Sequence, residues 1–405
     1  MKRRLTYLAA VAVVAAGSAT APAASAAQVA TGPHWIVQPT PNRAVPSNML
    51  DGVSCTSGAF CMAVGLSGPL IVTSASGRPF AAMAKRFPAT GPTTRTLAER
   101  WNGTQWRIEP TPNPAGSSTT MLNGITCSSR RACTAVGSAV AGKITVPLVE
   151  RWNGSRWSIV KTPHPPGAIG SDLQGVSCPA SNECIAVGGE SISSTVSLGF
   201  AERWNGSRWT LAGEFRVGAH AFLLSVSCSS ATRCTAVGGH VVNTTFLPLA
   251  ERWASGVWRR QATPGKGALL SVSCPATSDC TAVGSQTNQP NQPTLAMQWN
   301  GSRWKTQSAP EPPHSTNALL KGVSCTAVTS CEAVGSALQS TDVTVTVTIA
   351  DLWNGKSWTL EPTPALTGTL VHQFAGVWCG AHVACRAAGS VEMPSFDVQT
   401  LVERR

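Results

Sequence analysis

The chain is built from short apolar runs broken by Gly, Pro, Asn and Ser, and the same four runs return in the same order. A leucine before Gly-Val-Ser-Cys, as in Leu173 to Cys178, opens each unit, and Cys-x-Ala-Val-Gly, as in Cys184 to Gly188, comes second. Leu-Ala-Glu-Arg-Trp follows, as at Leu97 to Trp101, and then a run starting at a second tryptophan, as in Trp157-Ser158-Ile159-Val160. Runs of this length, rich in Val, Thr and Trp and bounded by turn residues, predict four strands per unit. The first two strands are joined by a five-residue linker between cysteines, which suits a hairpin. The last two are joined through Asn-Gly at Asn102-Gly103, Asn153-Gly154, Asn205-Gly206, Asn300-Gly301 and Asn354-Gly355. Asn-Gly is a strong hairpin signal because both residues tolerate positive φ.

The cysteines count the units. They fall as Cys55 and Cys61, Cys127 and Cys133, Cys178 and Cys184, Cys228 and Cys234, Cys274 and Cys280, Cys325 and Cys331, Cys379 and Cys385, with none left over. Tryptophans five apart march in step at Trp101 and Trp106, Trp152 and Trp157, Trp204 and Trp209, Trp253 and Trp258, Trp299 and Trp304, Trp353 and Trp358, one pair fewer. A strand-rich repeat near 50 residues points to a propeller or an array. The last unit ends at Thr400-Leu401-Val402-Glu403-Arg404-Arg405, which matches a third strand, while His34-Trp35-Ile36-Val37-Gln38-Pro39-Thr40-Pro41 matches a fourth. The expected fold is therefore all-β: a seven-bladed β-propeller of four-stranded antiparallel blades, closed by the N-terminal strand completing the C-terminal blade. Such closure removes exposed sheet edges. Trp378 alone breaks register, standing where Val-Ser-Cys has its serine.

Before the first unit stand Lys2, Arg3 and Arg4, an apolar run from Leu5 to about Ala16, and small residues ending Ala24-Ser25-Ala26-Ala27. This reads as a secretory signal peptide over residues 1–27, leaving residues 28–405 as the propeller. No later run reaches the roughly 18 apolar residues of a membrane-spanning helix, so a secreted protein without a transmembrane anchor is expected. Removing Lys2, Arg3 and Arg4 takes the formal charge from +12 to +9. That excess suits solubility or an anionic partner, and the absence of long Lys/Arg runs argues against nucleic acid.

Seven identical Cys-x5-Cys pairs behind a leader read as seven local disulfides, each stapling the first hairpin of a blade. A zinc site would need histidines at a fixed offset, which are missing, so neither metal nor cofactor is expected. The third-strand acids Glu99, Glu150, Glu202, Glu251, Asp351 and Glu403, with Met297 as the exception, recur too regularly for catalysis and are expected between neighbouring blades. Function should lie in the connections the units do not share, which emerge at one end of an antiparallel blade. The longest, Leu66 to Thr94, stretches the first cysteine interval to 72 against 46 to 54 elsewhere and holds Arg78, Phe80, Lys85, Arg86 and Phe87. This basic and aromatic mixture suits an anionic or sugar-like ligand, or is a tolerated insertion. His164, His220, His240 and His314 lie in these connections, and Glu190 follows Gly189 as His240 follows Gly239. They either converge on a site or are dispersed surface groups.

Ala186 to Gly189 and Ala236 to Gly239, each followed by a tryptophan-marked hairpin, resemble the kelch repeat, and the regular cysteine pairs resemble secreted actinobacterial repeat proteins. The kelch resemblance implies a propeller that binds partners on one face. Copper oxidases of galactose oxidase type and sialidases need a tyrosine, and the only one here, Tyr7, lies in the leader. The expectation is a monomeric, secreted, non-catalytic binding or scaffolding module for a cell-wall polymer or extracellular protein. The rival is a polysaccharide-active enzyme using Glu190 with His240.

Overall fold

The computed structural model describes residues 35–69, 94–287, 291–339, 345–380 and 383–405, and these form strands and turns with no helix. One unit shows the rest. Gly170–Ala180, Glu183–Ser191, Ser197–Trp204 and Trp209–Phe215 pair in that order, each antiparallel to the next. The strands outrun the motifs because flanking residues continue the ladder, as Ser171↔Glu190 and Glu190↔Leu198 do. The same order recurs in units whose first strands are Ser47–Ser57, Ser117–Ser129, His220–Ser230, Ala268–Ala276, Ser315–Ala327 and Val371–Gly380. The unit opening at Val371 takes its fourth strand from Ile36–Gln38, with Ile36↔Arg404, Val37↔Glu403 and Gln38↔Val402. Thr400 Oγ1 donates to Thr40 Oγ1 at 2.8 Å and the Thr400 amide to Asn42 Oδ1 at 2.9 Å, fixing the same seam.

The glycine of Ala-Val-Gly has a steric cause. A Cβ at Gly188 would lie 1.9 Å from the Asp172 carbonyl oxygen, beside a bulge between Leu173 and Gly175. Gly65, Gly137, Gly238, Gly284, Gly335 and Gly389 meet the same obstacle at 1.9 or 2.0 Å. The second glycine of the kelch-like pair carries no such demand at Gly189, where the nearest atom is 3.6 Å away.

Successive units meet first strand to first strand. A Cβ at Gly52 would contact Gly124, one at Gly124 would contact Gly175, and one at Gly175 would contact Ser225. In the next two units serine replaces glycine, and Ser225 Oγ accepts the Val272 amide at 3.2 Å and Ser271 Oγ the Val323 amide at 3.1 Å. Gly322 then meets Gly376, and Gly376 meets Gly52, so the neighbour relation returns to its start. No sheet closes on itself; larger sheets form where one third strand meets the next first strand through a single parallel pair, such as Ser197↔His220. The serine of Val-Ser-Cys adds a bond across these junctions: Ser54, Ser177, Ser227, Ser273 and Ser324 accept the amide of the following unit's first cysteine at 2.9 to 3.0 Å. Trp378 cannot accept such a bond, and it packs instead on the cluster holding Leu50, Val53 and Trp106.

All seven cysteine pairs are disulfides with Cα separations of 3.9 to 4.1 Å, and no described cysteine is free. Cys55 bonds Cys61, Cys127 bonds Cys133, Cys325 bonds Cys331 and Cys379 bonds Cys385, and the three remaining pairs follow the same spacing. The sequence reading makes these bonds hairpin staples, and the structure adds a second role. The second cysteine of every pair is buried in an apolar cluster of its own: Cys61 beside Leu97, Cys133 beside Leu148, Cys184 beside Phe200, Cys234 beside Leu249, Cys280 beside Leu295, Cys331 beside Ile349 and Cys385 beside Leu401. These half-cystines belong to the core.

The cores themselves lie between units: Val136 and Val149 of one pack with Leu173, Val176 and Phe200 of the next. The Asn-Gly turn differs from the sequence expectation. Trp204 pairs with Trp209, so the loop has four residues; Gly206 takes positive φ (94°) while Asn205 does not, and the Asn205 side chain accepts the amides of Ser207 and Arg208 at 3.0 Å. Asparagine serves there as a side-chain cap rather than as a second positive-φ residue.

Candidate functional site

The repeated acids lie in the junctions. Glu99, Glu150, Glu202, Asp351 and Glu403 are fully buried, and Thr162 of the preceding unit donates to Glu202 Oε2. Burial pushes these carboxyls up to about 8, with nearby Glu311 and Glu361 adding to the rise at Asp351. They are held mainly as neutral acids at pH 7, which lowers the cost of burying them. Met297, fully buried at the same position, does without the acid. The tryptophan pairs are structural too: Trp204 and Trp209 sit 5.7 Å apart, with Arg151 of the preceding unit 4.6 Å above Trp204.

At the opposite end, where second strands connect to third strands and fourth strands to the next unit, the pattern breaks. His164 Nδ1 and Ser171 Oγ are 2.8 Å apart, and His164 Nε2 lies 3.0 Å from the Ala168 carbonyl. A carbonyl can only accept, so Nε2 carries the proton and Nδ1 accepts from Ser171. Ser171 is directly opposite Glu190 in the ladder, which places both side chains on one face of the sheet. Glu190 is 2% exposed and neither carboxyl oxygen has a hydrogen-bond partner among the described residues. Burial and then the neighbouring Glu214 raise it to about 7, with Arg216 opposing. Glu214 and Arg216 are exposed beside it, and His220 Nδ1 lies 3.0 Å from Ser197 Oγ.

His164 and Glu190 therefore share one neighbourhood. His240 occupies the matching position of the next unit, opposite Ala221 and Leu247, where burial and then Arg260 lower its proton affinity. No hydrogen bond or ion pair joins Glu190 to His240 among the described residues. His314 is exposed at φ 59°. Arg78, Phe80, Lys85, Arg86 and Phe87 lie outside the described residues. Ser171, Glu214 and Arg216 escaped the sequence reading, because only the ladder brings them to Glu190. Among the described residues no cluster of His, Cys, Asp and Glu has the form of a metal site, and no helix is long and apolar enough to cross a membrane.

No family model and no curated protein matches the sequence. Among solved structures, a protein of unknown function from Dyadobacter fermentans is similar over 92% of this chain and 97% of its own, at 9% identity and a TM-score of 0.52. An acylaminoacyl peptidase from Pyrococcus horikoshii aligns over 88% of this chain at 8% identity and a TM-score of 0.49. This chain spans only 52% of that peptidase. At 9% identity, the likeness to the Dyadobacter protein concerns the fold alone.

Proposed function

We propose that the chain is a secreted, disulfide-stapled seven-bladed propeller of kelch-like type, and that its loop end binds a cell-envelope glycan or an extracellular protein without transforming it. The returning contacts of the first strands and the pairing of Ile36–Gln38 with Val398–Arg404 support a ring. The leader over residues 1–27 and the seven disulfides support export to an oxidising compartment. One observation carries the binding reading. The repeated acids and tryptophans are buried at matching positions in unit after unit, whereas His164, Ser171, Glu190, Glu214 and Arg216 surround the unit opening at Gly170 and break the repeat. Exposed Glu214 and Arg216 offer an acceptor and a fork of donors to a hydroxyl-rich ligand, with the buried Glu190 carboxyl beneath them. The basic and aromatic segment from Leu66 to Thr94 connects the second and third strands of the first unit, Phe60–Gly68 and Arg95–Trp101.

The enzymatic reading draws on Glu190 alone: a carboxyl raised to about 7 lies in the range of a general acid. The two are separated by a pull-down of wall polymers and exported proteins with wild type and a variant lacking residues 70 to 92, run beside a glycan-turnover assay. Capture that the deletion abolishes, with no turnover, is the expected result. Capture retained by the deletion overturns the role of that segment, and turnover that Glu190→Gln abolishes overturns the non-catalytic reading.

A further inference from the structure

The other end of the units, where the cysteine hairpins and Asn-Gly turns lie, carries cations that the sequence scatters over many tens of residues. Arg156, Arg208 and Arg303 occupy the same turn position, and each backbone amide is held at 3.0 Å by the turn's asparagine, Asn153, Asn205 or Asn300. Arg130, Arg131 and Arg233 stand between disulfide-bonded cysteines. All six side chains are exposed. The two kinds of turn share one end: Trp152 Nε1 donates to the Arg130 carbonyl at 3.2 Å, and Gly154 faces Arg131. Turns of successive units also touch, through Arg130 to Ser57 Oγ at 3.4 Å and Arg151 to the Ser181 carbonyl at 2.7 Å. Arg252, whose guanidinium reaches the Thr277 carbonyl, stands close enough to Arg233 that, after burial, this neighbour further lowers its proton affinity. Acids at this end are answered locally: Glu183 pairs with Arg203 at 2.9 Å, and Asp279 accepts from Gln298 at 3.4 Å.

We propose that this turn end is an interaction surface for a linear phosphodiester polymer. Exposed guanidinium groups recur from unit to unit on turns held by disulfides and asparagine caps, so little backbone freedom remains to be lost on binding. Guanidinium forks match phosphate oxygens two at a time, and cations spaced along successive units suit a repeating backbone charge better than a compact partner. The surface is separate from the loop end, which carries the binding reading above.

The probes are poly(glycerol phosphate) and single-stranded DNA of matched charge, titrated against the full-length mature protein across a salt series. Binding is expected at low salt, with the logarithm of affinity falling linearly against the logarithm of salt. Replacing Arg130, Arg131, Arg156, Arg208, Arg233 and Arg303 by Gln is expected to weaken binding more than tenfold and flatten that slope, with the melting temperature unchanged. Lys143→Gln with Lys266→Gln, at the loop end, and the variant lacking residues 70 to 92 are expected to bind as wild type. The tighter probe names the source of the phosphodiester. Absence of binding at low salt, wild-type binding by the sixfold variant, or equal binding of polygalacturonate would overturn the proposal.

Discussion

Glu202 is fully buried, accepts from Thr162 and is raised to about 8 from an ordinary value near 4.5. The folded state therefore holds a proton that the unfolded chain releases between those two values, and stability falls as pH rises through that window. Glu99, Glu150, Asp351 and Glu403 share the direction. His240 and His372, whose proton affinity burial lowers, act in the opposite sense and only below the ordinary histidine value of 6.5. Between 6.5 and 8 the acids govern, so the melting temperature is expected to fall over that interval in a buffer series. Glu202→Gln keeps the shape and removes the titration; it should flatten the fall between pH 6.5 and 8 by an amount equivalent to roughly 1 to 2 kcal/mol. An unchanged slope would show that Glu202 is not held neutral.

The strand pattern was readable because four runs with fixed punctuation recur, yet the reasons for particular letters lie in contacts between strands. Gly188 reads as a kelch-like glycine, and its physical cause is the Asp172 carbonyl 1.9 Å from where a Cβ would stand. Gly188→Ala must push the first two strands apart or reshape the bulge, at about 3 kcal/mol or more. Gly189→Ala meets nothing within 3.5 Å and should cost much less. Chemical denaturation of the two variants checks the difference, and equal midpoints would refute the steric account. Val-Ser-Cys behaves in the same way: Ser177 accepts the Cys228 amide at 3.0 Å, 51 residues away, and nothing local announces that bond.

Across the whole molecule, Ile36–Gln38 joins the last unit by pairing with Val398–Arg404 and also touches the first. Trp35 is 2% exposed and lies 5.9 Å from Phe374; Gln38 Oε1 accepts from Arg386 Nε at 3.3 Å and Trp106 Nε1 at 3.4 Å. Deleting residues 28 to 42 removes these contacts and leaves Val398–Arg404 as a bare sheet edge, which invites pairing with other chains. The melting temperature is expected to drop by many degrees, with association visible in light scattering. An unchanged melting curve would refute closure through this strand.

Composition, repeat length and cysteine spacing by themselves determined the all-β class, the four-strand unit, the disulfide partners and the strand that joins the two ends, because each is a local or periodic property. Which end of the units gathers which chemistry was decided only in three dimensions. Arg130, Arg156, Arg208, Arg233 and Arg303 never form a run in sequence, and antiparallel order alone collects them at the turn end. Ser171 and Glu190, 19 positions apart, become partners because a hairpin folds one strand back on the other. Spacing paired Cys61, Cys133, Cys331 and Cys385 with their neighbours, but only packing put each of them in an apolar core. The recurrence of the acids already assigned them to packing between units by its regularity; what only the tertiary structure supplied is their burial, which removes the water that would ionise them.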